Sequence, residues 1–390
     1  MEEFAGIHYQ TGEWISLKTE DGYIIEKQNK VMKETDEALY IAPGLIDLQI
    51  NGFSGLDFNT LPMDEEVVTK ITKMLWKEGV TTYLPTIITN SDEAISSVLE
   101  SIANACEKDE KMDRCIAGIH LEGPFISPED GPRGAHATEY VKRPDWALFQ
   151  KWQEISKNRI KIITLSPEWE NSLEFIRKCK EKNVVVSIGH TAATSEQIHE
   201  AVAAGAKMST HIGNGAHLML PRHPNYIWEQ LAEDDLWTCM IADGFHLPDS
   251  VLKVIMRVKR EQAMLVSDAV YFSGMEPGVY STHIGGKVVL TTEGKLHLAE
   301  NPQLLAGSVQ MLKWGIEHLV KKQLCSLPQA WEMASTRPGH FLNLPQKDGL
   351  AVGAPADFIL FTKTSSRIQI ERTIKHGEVV YENHSSESGN

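Results

Sequence analysis

The sequence predicts an α/β protein: a TIM-like (β/α)8 barrel with a small β-sandwich domain built from both chain ends. Three observations lead there. Between residues 45 and 268, eight apolar, β-prone runs alternate with helix-like segments. The runs are continuously apolar, as in strands of a parallel sheet covered on both faces. Five of the eight end in polar side chains suited to chemistry, and barrel strands gather such residues on one face.

The first strand candidates are residues 22–26 and 39–42. The eight runs follow at 45–51, 80–87, 115–122, 160–166, 184–190, 207–211, 238–243 and 264–268. Between them, Val67, Ile71, Met74 and Leu75 fall on one helical face, as do Ile95, Val98, Leu99 and Ile102. Thr194-Ser-Glu-Gln197 is a capping box ahead of Ile198, Ala201 and Val202, and Gly205 supplies the stop. Residues 280–299 alternate like a hairpin, with Thr292-Glu-Gly294 near the turn. Strand candidates return at 358–361, 371–375 and 378–381. Neither end is large enough to bury a core alone. Residues 1–43 and 349–385 are therefore expected to form one domain beside a barrel spanning 44–348, with the tail from His384 frayed. A doubly wound open sheet would show G-x-G-x-x-G after its first strand, and Asn51-Gly-Phe-Ser-Gly55 does not fit that pattern.

Composition narrows the function. With 38 Lys and Arg against 53 Asp and Glu, the net charge is −15, which argues against a nucleic-acid binder. No apolar run is long enough to span a membrane, and Met1-Glu2-Glu3-Phe4 does not resemble a secretory leader. Five scattered cysteines without a C-x-x-C pair read as reduced thiols. A cytoplasmic enzyme with neither nucleic acid nor membrane as partner is the expectation.

The polar residues at the run ends are Gln49 and Asn51, Glu122, His190, His211 and Asp268. A single histidine after a strand is more often a hydrogen-bonded loop residue than a ligand. Jointly the pattern says more. His190 and His211 fall on adjacent strands, about 4.8 Å apart in a sheet, and Glu122 adds an oxygen. Two imidazoles and a carboxylate leave a position open on a catalytic divalent ion. Asp268 on the last strand can then act as general base, the alternative being a turn role in Val266-Ser-Asp-Ala269.

Six segments in register extend this reading: Ala42-Pro-Gly-Leu-Ile-Asp-Leu-Gln-Ile-Asn-Gly52, Gly118-Ile-His-Leu-Glu-Gly-Pro-Phe125, Ile188-Gly-His-Thr191, Ser209-Thr-His211, Ile241-Ala-Asp-Gly-Phe-His246 and Leu265-Val-Ser-Asp-Ala269. Together they resemble the N-acetylglucosamine-6-phosphate deacetylases of the amidohydrolase superfamily. The resemblance implies one divalent metal ion, zinc in most members, on Glu122, His190 and His211, with Asp268 as base and then acid. Where many amidohydrolases carry His-x-His, this chain has Gln49-Ile-Asn51, and amides are poor ligands beside imidazole, so one ion is expected. The resemblance further implies that His246 bonds the substrate carbonyl, that His136 contacts the sugar, and that Asn214, Gly215 and Arg222 hold the phosphate. It implies a homodimer acting on a small amino sugar, N-acetylglucosamine 6-phosphate.

The chain departs from the family at His211-Ile-Gly-Asn-Gly-Ala-His217 and Arg222-His-Pro-Asn225, and its loop through Glu129-Asp-Gly-Pro-Arg133 is longer than usual. These changes fall on the sugar and phosphate side. They leave Arg133, His217 and His223 as further anion-binding candidates. They also keep two alternatives open: a deacetylase of unphosphorylated N-acetyl sugars or N-acyl amino acids, and a catalytically silent sugar-binding homologue.

Overall fold

The computed structural model describes residues 1–32, 38–282, 286–364 and 367–384, so the expectation for the tail beyond His384 lies outside the described residues. Eight parallel strands form the central sheet: β1 (Leu45–Ile50), β2 (Val80–Ile88), β3 (Ile119–Glu122), β4 (Ile160–Leu165), β5 (Val185–Ile188), β6 (Met208–Ser209), β7 (Trp237–Met240) and β8 (Ala263–Leu265). They lie side by side in sequence order. The ring closes where Ile50 bridges Ala269 in parallel and Asp268 N donates to Gln49 O at 2.9 Å.

The apolar strands are covered as expected. β1 is buried along its whole length, and Ile95, Val98, Leu99 and Ile102 of the helix Asp92–Lys108 all point inward. In the helix Glu65–Lys77 the buried stripe is Val68, Ile71, Thr72, Leu75 and Trp76, so Val67 and Met74 sit at its margin. The Thr194 capping box forms, and Gly205 ends that helix at φ 127°. The run at 115–122 is only half strand. Asp109 caps a short helix, Glu110–Cys115, which consumes its first residue, and pairing in β3 begins at Ile119.

Both chain ends supply one seven-stranded sheet. Its strands, in spatial order, are Glu378–Glu382, Ile368–Lys375, Phe358–Lys363, Tyr40–Pro43, Glu2–His8, Trp14–Glu20 and Tyr23–Asn29. Tyr23 bridges Pro355, which curls the outer strand back over the segment leading into Phe358–Lys363. Phe4, Leu17, Ile41, Phe358 and Ile374 fill a core of their own beneath it. The strands Glu2–His8 and Trp14–Glu20 went unseen in sequence because their polar residues mask the apolar alternation. The insertion after β8 has three antiparallel strands, Gly278–Ser281, Lys287–Leu290 and Leu296–Leu298, not two. They pack Val288, Leu290 and Leu296 on Phe272.

Candidate functional site

Chemistry collects at the C-terminal ends of the barrel strands. Glu122 is the last residue of β3. His190 and His211 follow β5 and β6 by two residues, and Asp268 follows β8 by three. These three have left-handed backbones, with φ of 49°, 21° and 48°. Such conformations are uncommon outside glycine and concentrate at functional sites. They turn each side chain from the strand axis toward the barrel mouth.

Glu122 is the hub. Its Oε1 lies 3.2 Å from His190 Nε2 and 3.1 Å from His211 Nε2, and accepts from Gln49 Nε2 at 2.9 Å. Gln49 Nε2 also reaches Asp268 Oδ1 at 3.1 Å, where Asn51 Nδ2 donates at 2.9 Å. Both amides at the first strand's end thus hold carboxylates in place. Glu122, His190, His211 and Asp268, the residues singled out in the sequence, converge here, the two histidines on Glu122 and Asp268 through Gln49.

The electrostatics follow from crowding. Burial by itself would raise the Glu122 pKa, but the His190 and His211 rings against its Oε1 hold it well below the usual carboxylate value. Burial opposes charge on His211 too, yet the Glu122 carboxylate overrides it and the ring's pKa rises to about 9. Burial, followed by repulsion from Glu122, lifts the Asp268 carboxyl to about 6.

These residues fit a divalent cation. The Nδ1–H of His190 donates to Pro132 O at 2.8 Å, so the neutral ring presents its Nε2 lone pair to Glu122 Oε1. Two acceptors 3.2 Å apart need a proton or a cation between them. His211 Nδ1 is buried without a hydrogen-bond partner, leaving Nε2 as its only engaged nitrogen. His136, which the sequence reading gave to the sugar, also stands here. One donor atom each from Glu122, His136 and His190 lie mutually within 4.8 Å. Thr89 Oγ1, 2.8 Å from His136 Nδ1, frees the other ring nitrogen, and burial lowers that imidazole's pKa to about 3.

A cavity of about 320 Å³ opens above the cluster. Asn214, Gly215, His136 and His246, the residues to which the resemblance gives substrate contacts, line it. Asp57, Asn59 and an apolar wall including Ile88, Tyr271, Phe272 and Leu305 line it as well, and sequence reasoning missed them. Leu56–Asp57 pairs with Gly52–Phe53 in a small hairpin after β1, a turn-rich stretch whose acidic residue carried no spacing signal. Arg222 does not reach the cavity; it is exposed with Pro221, His223 and Pro224 on the loop leading to the helix Tyr226–Ala232. Two other anion candidates are engaged internally. His217 lies 3.1 Å from Glu129 Oε2, while Arg133 pairs with Asp130 and donates to His136 O at 2.8 Å.

Comparisons with known proteins find relatives along nearly the whole chain. The profile of the amidohydrolase family matches residues 40–380. N-acetylglucosamine-6-phosphate deacetylase of Lysinibacillus sphaericus is 31% identical over 342 residues, covering 87% of this chain and 85% of that protein. The Bacillus subtilis enzyme of the same name is 32% identical over 345 residues, covering 87% and 84%. Among solved structures, N-acetylglucosamine-6-phosphate deacetylase of Thermotoga maritima superposes with a TM-score of 0.83 at 25% identity, covering 98% of this chain and 99% of that one. A Mycobacterium smegmatis deacetylase in complex with N-acetyl-D-glucosamine-6-phosphate shares the fold with a TM-score of 0.83 at 23% identity, covering 97% and 98%.

Proposed function

We infer the reaction from one premise: the chain belongs to the amidohydrolase family and, within it, to the N-acetylglucosamine-6-phosphate deacetylases. It is a metal-dependent hydrolase that removes the acetyl group of N-acetylglucosamine 6-phosphate, giving glucosamine 6-phosphate and acetate. The observation that carries this reading is the Glu122 carboxylate flanked by two imidazole Nε2 atoms and tied through Gln49 to Asp268.

Glu122, His190 and His211 would hold one divalent ion, with His136 within reach of it. Imidazole and carboxylate donors suit zinc. Such an ion supplies Lewis acidity toward an amide carbonyl and toward water. Asp268 removes the proton of the attacking water. Gln49 and Asn51 both occupy its Oδ1, so Oδ2 is the oxygen that takes the proton and then gives it to the departing amine. His246 faces the acetyl oxygen, where negative charge develops. His136, Asn214 and Gly215 contact the sugar and its phosphate, with Asp57 beside them, and Tyr271 and Phe272 supply apolar surface for the ring.

Arg222 stands outside this cavity on a loop that also exposes Leu218 (85%) and Met219 (88%). An apolar loop tip with a cation beside it supports a homodimer in which this loop meets a second copy. No helix of the described residues is long and apolar enough to cross a membrane. That and the free cysteines support a cytoplasmic enzyme.

Acetate release from N-acetylglucosamine with and without its 6-phosphate, each with and without a chelator, tests the reading. Turnover should favour the phosphorylated sugar at least tenfold and vanish on chelation. A kcat/KM ratio near unity would remove the phosphate contacts. Acetate release that survives complete metal removal would remove the ion.

A further inference from the structure

We propose that Asp243 is a positioning residue that fixes the ring orientation of His246 and keeps a proton on its Nδ1. The proposal deepens the reading of His246 at the acetyl oxygen and rests on it. Asp243 follows β7 and is 4% exposed. Its Oδ1 accepts from Phe245 N at 2.8 Å and His246 N at 2.9 Å, a turn that carries the chain across the strand end. Its Oδ2 lies 2.7 Å from His246 Nδ1. One buried carboxylate thereby sets both the backbone and the ring of the same histidine.

The next layer holds the turn rigid. From the helix Leu312–Lys321, Trp314 Nε1 donates to Asp243 O at 3.0 Å. The His318 ring, held by Asp249 at 2.8 Å, fills the space beside Gly244, where a β-carbon would come within 2.6 Å of it. Gly244 takes φ +83°, so a larger residue is excluded twice over. Unlike His246 and Asp268, Asp243 does not line the cavity. It therefore acts through His246.

The chemical consequence concerns which nitrogen can donate. An ionised carboxylate only accepts, so the proton of the neutral ring stays on Nδ1 and Nε2 offers a lone pair. An N–H at Nε2 exists only when both nitrogens are protonated. A His246 that donates to an oxyanion must then carry a proton on each nitrogen, with the Asp243 Oδ2 2.7 Å behind the ring to balance it. Beside the turn, Asp249 is engaged by the His318 ring at 2.8 Å and by Lys322 Nζ at 3.5 Å. Charge-assisted donors are roughly twice as strong as neutral ones, which gives the arrangement its catalytic value.

Asp243→Asn in the metal-loaded enzyme is the test. The amide oxygen can keep the turn, while the amide N–H₂ facing Nδ1 would move the ring proton to Nε2. Side-chain ¹⁵N NMR, with the His246 signals assigned by their loss in His246→Asn, should show a protonated Nδ1 in the parent and a bare one in the variant. We expect kcat to fall ~10- to 100-fold with KM changed less than about threefold, and the double variant to be no slower than His246→Asn alone. A bare Nδ1 in the parent, or losses that multiply in the double variant, would overturn the proposal. Absence of acetate release by the parent would instead overturn the deacetylase reading, and the NMR comparison would still report on Asp243.

Discussion

Asp268 shows how much one side chain's surroundings decide. Two amide donors fix its Oδ1, and burial with the Glu122 charge beside it raises its pKa to about 6. In the metal-free protein this group contributes stability fully below its unfolded value of 3.8 and loses it as pH rises through about 6. Activity runs the other way, because the base must be ionised. With a cation nearby favouring the ionised form, kcat/KM should rise with pH along a limb whose midpoint lies at or below about 6. Asp268→Asn should keep its metal, by elemental analysis, while turnover falls by about 10²- to 10⁴-fold and the limb disappears. The sequence disclosed this residue, with Glu122, His190 and His211, because each stands at the end of an apolar run where a barrel brings such ends together. Asp57 and Thr89 were not legible, because neither belongs to a periodic pattern and each gains its meaning from a partner distant in sequence. Asp243 ends the run 238–243 and lies in the motif that carries His246, but its bond to that ring depends on a turn that only the fold shows.

At the level of elements, every barrel strand except β2 is shorter than its apolar run, and the two histidine ligand candidates stand in the loops beyond the strands. β6 is only Met208–Ser209, and His211 lies beyond it in a left-handed turn that no residue pattern announces. The loop after it also supports the neighbouring ligand. Gly215 sits at φ +58°, and a β-carbon there would lie 2.6 Å from His190 Nδ1, the atom that bonds Pro132 O. Gly215→Ala should therefore push the imidazole off that carbonyl. Loss of such an outer partner typically weakens metal binding 10- to 100-fold. Competition with a coloured chelator should show a weakening of about that size, with the circular dichroism of the fold retained. Unchanged affinity would mean that the loop yields instead of the ring. The family resemblance could mark Gly215 for the phosphate, but its contact with His190 required the fold.

Across the whole molecule, the end-built sheet and the barrel are locked at the barrel face opposite the site. Lys375 Nζ bonds Asp357 Oδ2 at 2.7 Å and Thr82 Oγ1 of β2 at 3.3 Å, while Gln346 and His376 N complete the carboxylate's partners. Trp331 stacks on Phe361 at 4.8 Å and donates to Pro43 O at 2.9 Å, and Thr373 Oγ1 donates to Trp76 O at 2.6 Å. The Lys375 and Asp357 side chains are 1% and 3% exposed, so removing one leaves the other charge buried and alone. Lys375→Met should destabilise the protein by about 3–5 kcal/mol, whereas adding Asp357→Asn should recover part of that loss. Thr82 is near the start of β2 and the chemistry lies beyond its end, so metal content and KM below the transition should stay at parent values. Thermal unfolding measured alongside metal stoichiometry separates the two effects. If stoichiometry falls together with Tm, the sheet supports the metal site through the barrel as well as holding the chain ends.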